Sequence, residues 1–241
     1  MNLFPRQALI LLAMLLALAP VSPVAADPYL TDADVPLVIL LPPPPALGSQ
    51  EQQADLAAVL TAESERTPES AQRASDDSTR SVLRFADALG RDFSPQDIPL
   101  TKALFREIAH ECENLTDAAK HVFQRHRPFV DDTRLHPILV TPTDGSRPTG
   151  QTPSYPSGHS TFGWATGILL AQMVPEQEGA IFDRSAEFAH NRLVAGVHYP
   201  SDIEAGRICG TVIANSLWHS SRFQVDFEAA KAELRAALGL E

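Results

Sequence analysis

From Gln50 to Leu240 the apolar residues recur at three- and four-residue spacing, with no convincing run of strict alternation. That periodicity predicts helices and no sheet, so the expected fold class is all-α, a single-domain helical bundle. Helices are expected over 50–63, 67–89, about 99–112, 115–124, 157–174, 178–197, 200–218 and 226–238. Thr67-Pro68-Glu69 and Pro200-Ser201-Asp202 carry helix-start chemistry, with proline where its missing N–H costs nothing. Lys120 then falls in the last turns of one helix and Arg127 just beyond it, about two turns away and able to share its face. From Phe129 to Ser154, Pro, Gly, Asp and Thr interrupt the periodicity, which predicts a long loop of the kind that often serves function.

Ahead of the helices, Asp27 to Leu47 is Pro-rich, and the run Pro42 to Pro45 lacks backbone donors and favours extended structure. It is expected either as a flexible leader or, because Leu37 to Leu41 are apolar, as an extended arm lying on the body. Earlier still, Arg6, the apolar stretch from Ala8 to Ala19 and Val24-Ala25-Ala26 have the layout of an export signal. The apolar stretch, about 12 residues, is short of the roughly 20 that a spanning helix needs. The expected organisation is therefore a signal peptide over 1–26, a Pro-rich N-terminal arm over 27–49 and one all-α domain over 50–241, in a periplasmic or secreted protein.

The chain carries a net charge of −11, and removal of Arg6 would make it one unit more negative. Such a surface disfavours nucleic acid and, after signal cleavage, anionic membranes as partners. Export permits a disulfide between Cys112 and Cys209, but two buried thiols fit the helical pattern equally well. Gly163 with Gly167 and Gly206 with Gly210 give two helices small faces. With Glu204 and Arg207 nearby, those faces suggest tight packing in a soluble bundle instead of a membrane dimer.

Against this acidic background, three segments concentrate chemistry suited to phosphate. Lys120, Arg127 and Arg192 supply one compact and two planar cations. Ser157 and Gly158 stand where a helix begins, so free N–H groups and the positive end of the dipole favour an anion there. His198 lies four positions before Asp202, whose carboxylate can fold back onto one imidazole nitrogen and leave the other free to attack phosphorus. His159, in the first turn of the Ser157 helix, is placed to protonate the departing oxygen. Singly, each residue has an ordinary explanation as a cap, a solvated arginine or a satisfied histidine; together they predict phosphomonoester chemistry without a metal. No His-Glu-x-x-His helix, zinc-spaced cysteine pair or dense Asp cluster is present, and His121 and His126 are five apart, so no metal or other cofactor is expected.

These segments, with Leu40-Leu41-Pro42 to Pro45-Ala46, Gly48-Ser49, Arg127-Pro128-Phe129, Ser154 to His159 and Gly196-Val197-His198-Tyr199, resemble the class A bacterial nonspecific acid phosphatases. That group belongs to the phosphatidic-acid-phosphatase type 2 superfamily, which also includes the vanadium haloperoxidases. The resemblance implies His198 as nucleophile, His159 as general acid, Asp202 as orienting carboxylate, and Lys120, Arg127, Ser157, Gly158 and Arg192 as phosphate ligands. It further implies broad phosphate-monoester specificity, a phosphohistidine intermediate, some phosphotransfer to alcohols, inhibition by inorganic phosphate or vanadate, and a homo-oligomer. Two positions depart from the pattern: Asn191 replaces the usual Ser before Arg192, and Pro153 replaces the usual Gly before Ser154. A haloperoxidase would share the pocket, although the compact length favours the phosphatase. An exported phosphate-binding protein would need the cations but not His198 paired with Asp202.

Overall fold

Several helices begin where a side chain caps the free N–H groups, as Ser49, Thr67, Ser157 and Ser220 do, or where a proline takes the first helical position. The computed structural model describes residues 27–90, 96–139 and 150–240, so the expected export signal and residues 140–149 of the expected loop lie outside the described residues. The helices are α1 (Leu37–Leu40), α2 (Gln50–Ser64), α3 (Pro68–Asp76), α4 (Pro99–Phe123), α5 (Pro128–Asp131), α6 (Gly158–Met173), α7 (Glu178–Val194), α8 (Pro200–Ser216) and α9 (Ser221–Leu238). Among the described residues there is no strand, and no helix is long and apolar enough to cross a membrane.

α6 is the centre of the bundle, flanked by α7 and α8, with α4 packed on it and α9 on α4. Phe162, Leu169, Leu170, Phe188, Ile213 and Phe227 fill this core, each stabilising the fold by about 1.5–3 kcal/mol relative to an exposed side chain. The small faces set the spacing. A Cβ on Gly210 would lie 2.5 Å from the Thr161 carbonyl, and one on Gly206 would lie 2.6 Å from the Ser157 carbonyl. Backbone cannot yield at those distances, so either glycine changed to alanine would push α8 off the start of α6.

Several boundaries differ from the periodic expectation. The two helices expected over 99–112 and 115–124 are one 25-residue helix, α4, ended by Gln124 in the left-handed region at φ 49°. The helix expected over 67–89 stops at Asp76 because the next residue, Asp77, is fully buried as an ionic hub. It accepts from Arg84 Nε at 2.9 Å, Arg184 Nη2 at 2.5 Å and Asn191 Nδ2 at 2.7 Å. The last helix begins at Ser221, five residues early, because Ser220 caps it through the Phe223 N–H. α5 interrupts the expected long loop.

The Pro-rich segment lies on the body. Leu37 and Leu41 are buried, the Pro42 carbonyl accepts from Tyr155 Oη at 2.7 Å, and the Glu111 carboxylate accepts the N–H groups of Tyr29 and Leu30. Both cysteines are free and buried, which answers the open disulfide question.

Candidate active site

The end of α4 and the starts of α6 and α8 converge on one small cavity. Lys120 occupies the last turn of α4 and is buried. The turn at Gln124 then redirects the chain so that Arg127, just before α5, also faces the cavity. Ser157 caps α6 through the Ser160 N–H at 3.3 Å, while its own N–H donates to the Asp202 carbonyl at 3.0 Å and joins the starts of α6 and α8. Gly158 and His159 follow and line the cavity; a Cβ on Gly158 would lie 3.9 Å from Lys120 Nζ.

His198 and Asp202 sit where α8 begins, and both are essentially inaccessible to solvent. Asp202 Oδ2 accepts the Tyr199 N–H at 2.9 Å and lies 3.2 Å from His198 Nδ1. The other ring nitrogen, Nε2, lies 3.0 Å from Arg127 Nη1. A guanidinium can only donate, so Nε2 carries the lone pair and Nδ1 the proton facing Asp202. His198 therefore presents an unprotonated nitrogen to a cavity that His159 also lines.

His159 Nε2 lies 2.9 Å from the Ser78 carbonyl, which can only accept, so this nitrogen carries a proton. Burial holds both imidazoles well below the usual histidine range. Arg192 and Arg80 reinforce this for His159, as Arg127 and Lys120 do for His198. Burial, then Arg127 and Arg80, lower Lys120 to about 7, and burial lowers Arg127 and Arg192 to about 10. Arg192 is 1% exposed; its Nη1 donates to the Ala74 carbonyl at 3.3 Å, and its Nε has no hydrogen-bond partner among the described residues. The common cause is burial, reinforced for Lys120, Arg192 and both imidazoles by neighbouring cations and only partly opposed by Glu113, Asp202 and Asp77, an environment that a bound dianion would relieve.

Of the eight residues picked out from the sequence, Lys120, Arg127, Gly158, His159 and His198 line the cavity. Asp202 stands behind His198, and Ser157 faces the helix backbone. Arg192 acts on both imidazoles from behind the cavity wall. Two cations escaped the sequence reading. Arg80 reaches the cavity wall from the turn after α3 and pairs with Glu113 at 2.6 Å. Arg125 donates to Asp202 Oδ1 at 2.6 Å. Arg125 could have been suspected from its place between Lys120 and Arg127, whereas nothing in the local pattern marks Arg80.

A helical bundle with a cationic cavity, two imidazoles and a carboxylate behind one of them defines a phosphate-handling class of protein. The PAP2 superfamily model matches residues 104–226, and the chain belongs to that superfamily. The non-specific acid phosphatase of Providencia stuartii is 29% identical over 199 residues, covering 80% of this chain and 79% of that protein. The acid phosphatase of Zymomonas mobilis is 34% identical over 160 residues, covering 65% of this chain and 58% of that one. Among solved structures, a transmembrane PAP2-type phosphatidylglycerolphosphate phosphatase from Bacillus subtilis shares the fold. Its TM-score is 0.50 at 16% identity, covering 78% of this chain and 91% of that one.

Proposed function

We propose that this chain is an exported acid phosphatase that hydrolyses a broad range of phosphate monoesters through a phosphohistidine at His198, without a metal. One observation carries the proposal: His198 turns Nδ1 to Asp202 and an unprotonated Nε2 to the cationic cavity that His159 shares.

The substrate dianion enters between Lys120 and Arg127 at the Gly158 N–H, while Ser157 holds the turn through its N–H to the Asp202 carbonyl and Arg192 adds its charge from behind the wall, and Arg127 exchanges its contact with His198 Nε2 for a phosphate oxygen. Nε2 then bonds to phosphorus as the P–O bond to the leaving group breaks, and His159 protonates the departing oxygen. Asp202 stabilises the charge that develops on the His198 ring. Water attacks phosphorus next, its proton passes to His159, the N–P bond breaks and inorganic phosphate leaves. An alcohol in place of water gives phosphotransfer as a side activity. Inorganic phosphate and vanadate occupy the same cradle and inhibit.

His159 has a proton to give only when both ring nitrogens are protonated. The bound dianion favours that state, which burial and the neighbouring cations otherwise oppose. Activity is therefore expected on the acid side of neutrality in a bell-shaped profile. It falls at higher pH as His159 loses its proton and at lower pH as the His198–Asp202 pair takes one up. The test is turnover of a chromogenic monoester by wild type and His198→Ala, in chelator, across pH. The expected result is wild-type turnover unaffected by chelator and a loss of about 10³-fold or more in the variant, with phosphate still bound. Comparable turnover by both proteins would overturn the proposal.

A further inference from the structure

We propose that Arg125 is a positioning residue for this reaction, holding Asp202 ionised and aimed at His198 while α2 holds Arg125 from behind. The proposal rests on the phosphohistidine reading above and adds a residue outside the phosphate cavity. Arg125 Nη1 donates to Asp202 Oδ1 at 2.6 Å and to Ser201 Oγ at 2.7 Å. Its Nη2 donates to Asp55 Oδ2 at 2.7 Å and to Gln52 Oε1, and the guanidinium lies 4.0 Å from the Tyr199 ring centroid. Ser201 closes the ring by donating its N–H to Asp55 Oδ1 at 3.3 Å and its hydroxyl to Asp55 Oδ2.

This arrangement divides the work of the Asp202 carboxylate. Oδ1 faces Arg125, and Oδ2 faces His198 and the Tyr199 N–H, so rotation of the carboxylate would break both sets of contacts. Asp202 is fully buried, and burial pushes its carboxyl up. Arg125 is foremost among the groups that oppose this, followed by the Tyr199 N–H and Arg127. The other charged or titratable groups around it are Lys120 from α4, Tyr155 from the segment before α6, and His198 itself. Arg125 does not line the phosphate cavity. It borders a different one, with Pro44, Pro45, Leu47 and Phe123, so its loss should leave the phosphate ligands in place. Asp55 and Gln52 on its far side keep it from swinging toward a bound anion.

The test compares Arg125→Met, Arg125→Lys and His198→Ala with wild type, measuring kcat, KM, inhibition by inorganic phosphate and the pH profile, with folding checked by circular dichroism. Arg125→Met is expected to lower kcat about 10–100-fold, as loss of an orienting partner does. Its acid limb should rise by about one pH unit or more, since an opposite charge at contact distance is worth that much. KM and phosphate inhibition should stay within about twofold of wild type. Arg125→Lys, with one compact charge that cannot span Asp55 and Asp202 together, should recover part of kcat and move the acid limb part of the way back. A folded Met variant with its acid limb at the wild-type pH would overturn the inference. If the Met variant does not fold, a Lys variant with wild-type kcat and acid limb would overturn it. Turnover retained by His198→Ala would instead sink the phosphohistidine reading, so the two failures are distinguishable.

Discussion

Arg125 and Arg127 are two positions apart and almost equally buried, at 7% and 5% exposure, yet they live in opposite electrostatic surroundings. Arg125 meets Asp202 and Asp55. Burial alone would lower its pKa, but the two carboxylates more than offset this and raise it. Arg127 donates to the Thr152 and Val197 carbonyls and to His198 Nε2; burial lowers it to about 10 against the opposing charge of Asp202. Behind Asp202 the charges are matched by the protein, whereas in front of it Lys120 and Arg127 crowd together in the cavity, where burial lowers Lys120 to about 7 and Arg127 to about 10. A stable fold avoids the second condition, and a phosphate site requires it.

Asp202 joins the two regions, so removing its charge should have the largest effect. Asp202→Asn is expected to lower kcat by about 10³–10⁴-fold, because the His198 tautomer and the charge developing on the ring lose their support. It should also destabilise the fold by roughly 3 kcal/mol, since Arg125 is left with one buried counter-ion. Steady-state kinetics and chemical denaturation read the two effects separately. Lys120→Met should show the contrast most clearly. Removing one buried cation from the cavity is expected to stabilise the protein in the absence of phosphate by about 0.5–2 kcal/mol while weakening phosphate inhibition. Destabilisation by this variant would mean that the front charges are matched after all.

The smallest expected effect is the pH dependence of stability. His159 and His198 are held well below the usual histidine range in the fold, so between about pH 6.5 and their folded values the unfolded chain binds more protons. Stability of the ligand-free protein should therefore fall as pH drops below about 6.5. Lys120, lowered to about 7, acts the same way from about pH 10.5 downward. Saturating phosphate raises all three pKa values and should flatten this slope in thermal melts; an unchanged slope would place the anion elsewhere.

Helix identity and the three chemical segments were legible because both are local. Three- and four-residue spacing marked the bundle, and Lys120, Arg127, Gly158, His159 and His198 do line one cavity. What stayed hidden depends on partners far along the chain. The helix expected over 67–89 ends early because Asp77 is claimed by Arg184 and Asn191, more than 100 residues away. That break is what carries the Ser78 carbonyl to His159 and Arg80 to the cavity wall. Arg125 likewise depends on Asp55, 70 residues earlier, and no periodicity reports such a pairing. Glycine spacing announced close packing but not its partners: Gly206 and Gly210 seat α8 on α6, while Gly163 and Gly167 receive Phe188 and Ser185 of α7.

The most direct test of the central claim is rapid quench of the enzyme during turnover, under alkaline conditions that preserve phosphoramidates, followed by peptide mass spectrometry. The account predicts phosphate attached to His198, appearing within the first turnover, discharged by water or an added alcohol, and absent from His198→Ala. Full turnover with no phosphorylated His198 at any time, or phosphate carried by another residue, would contradict it.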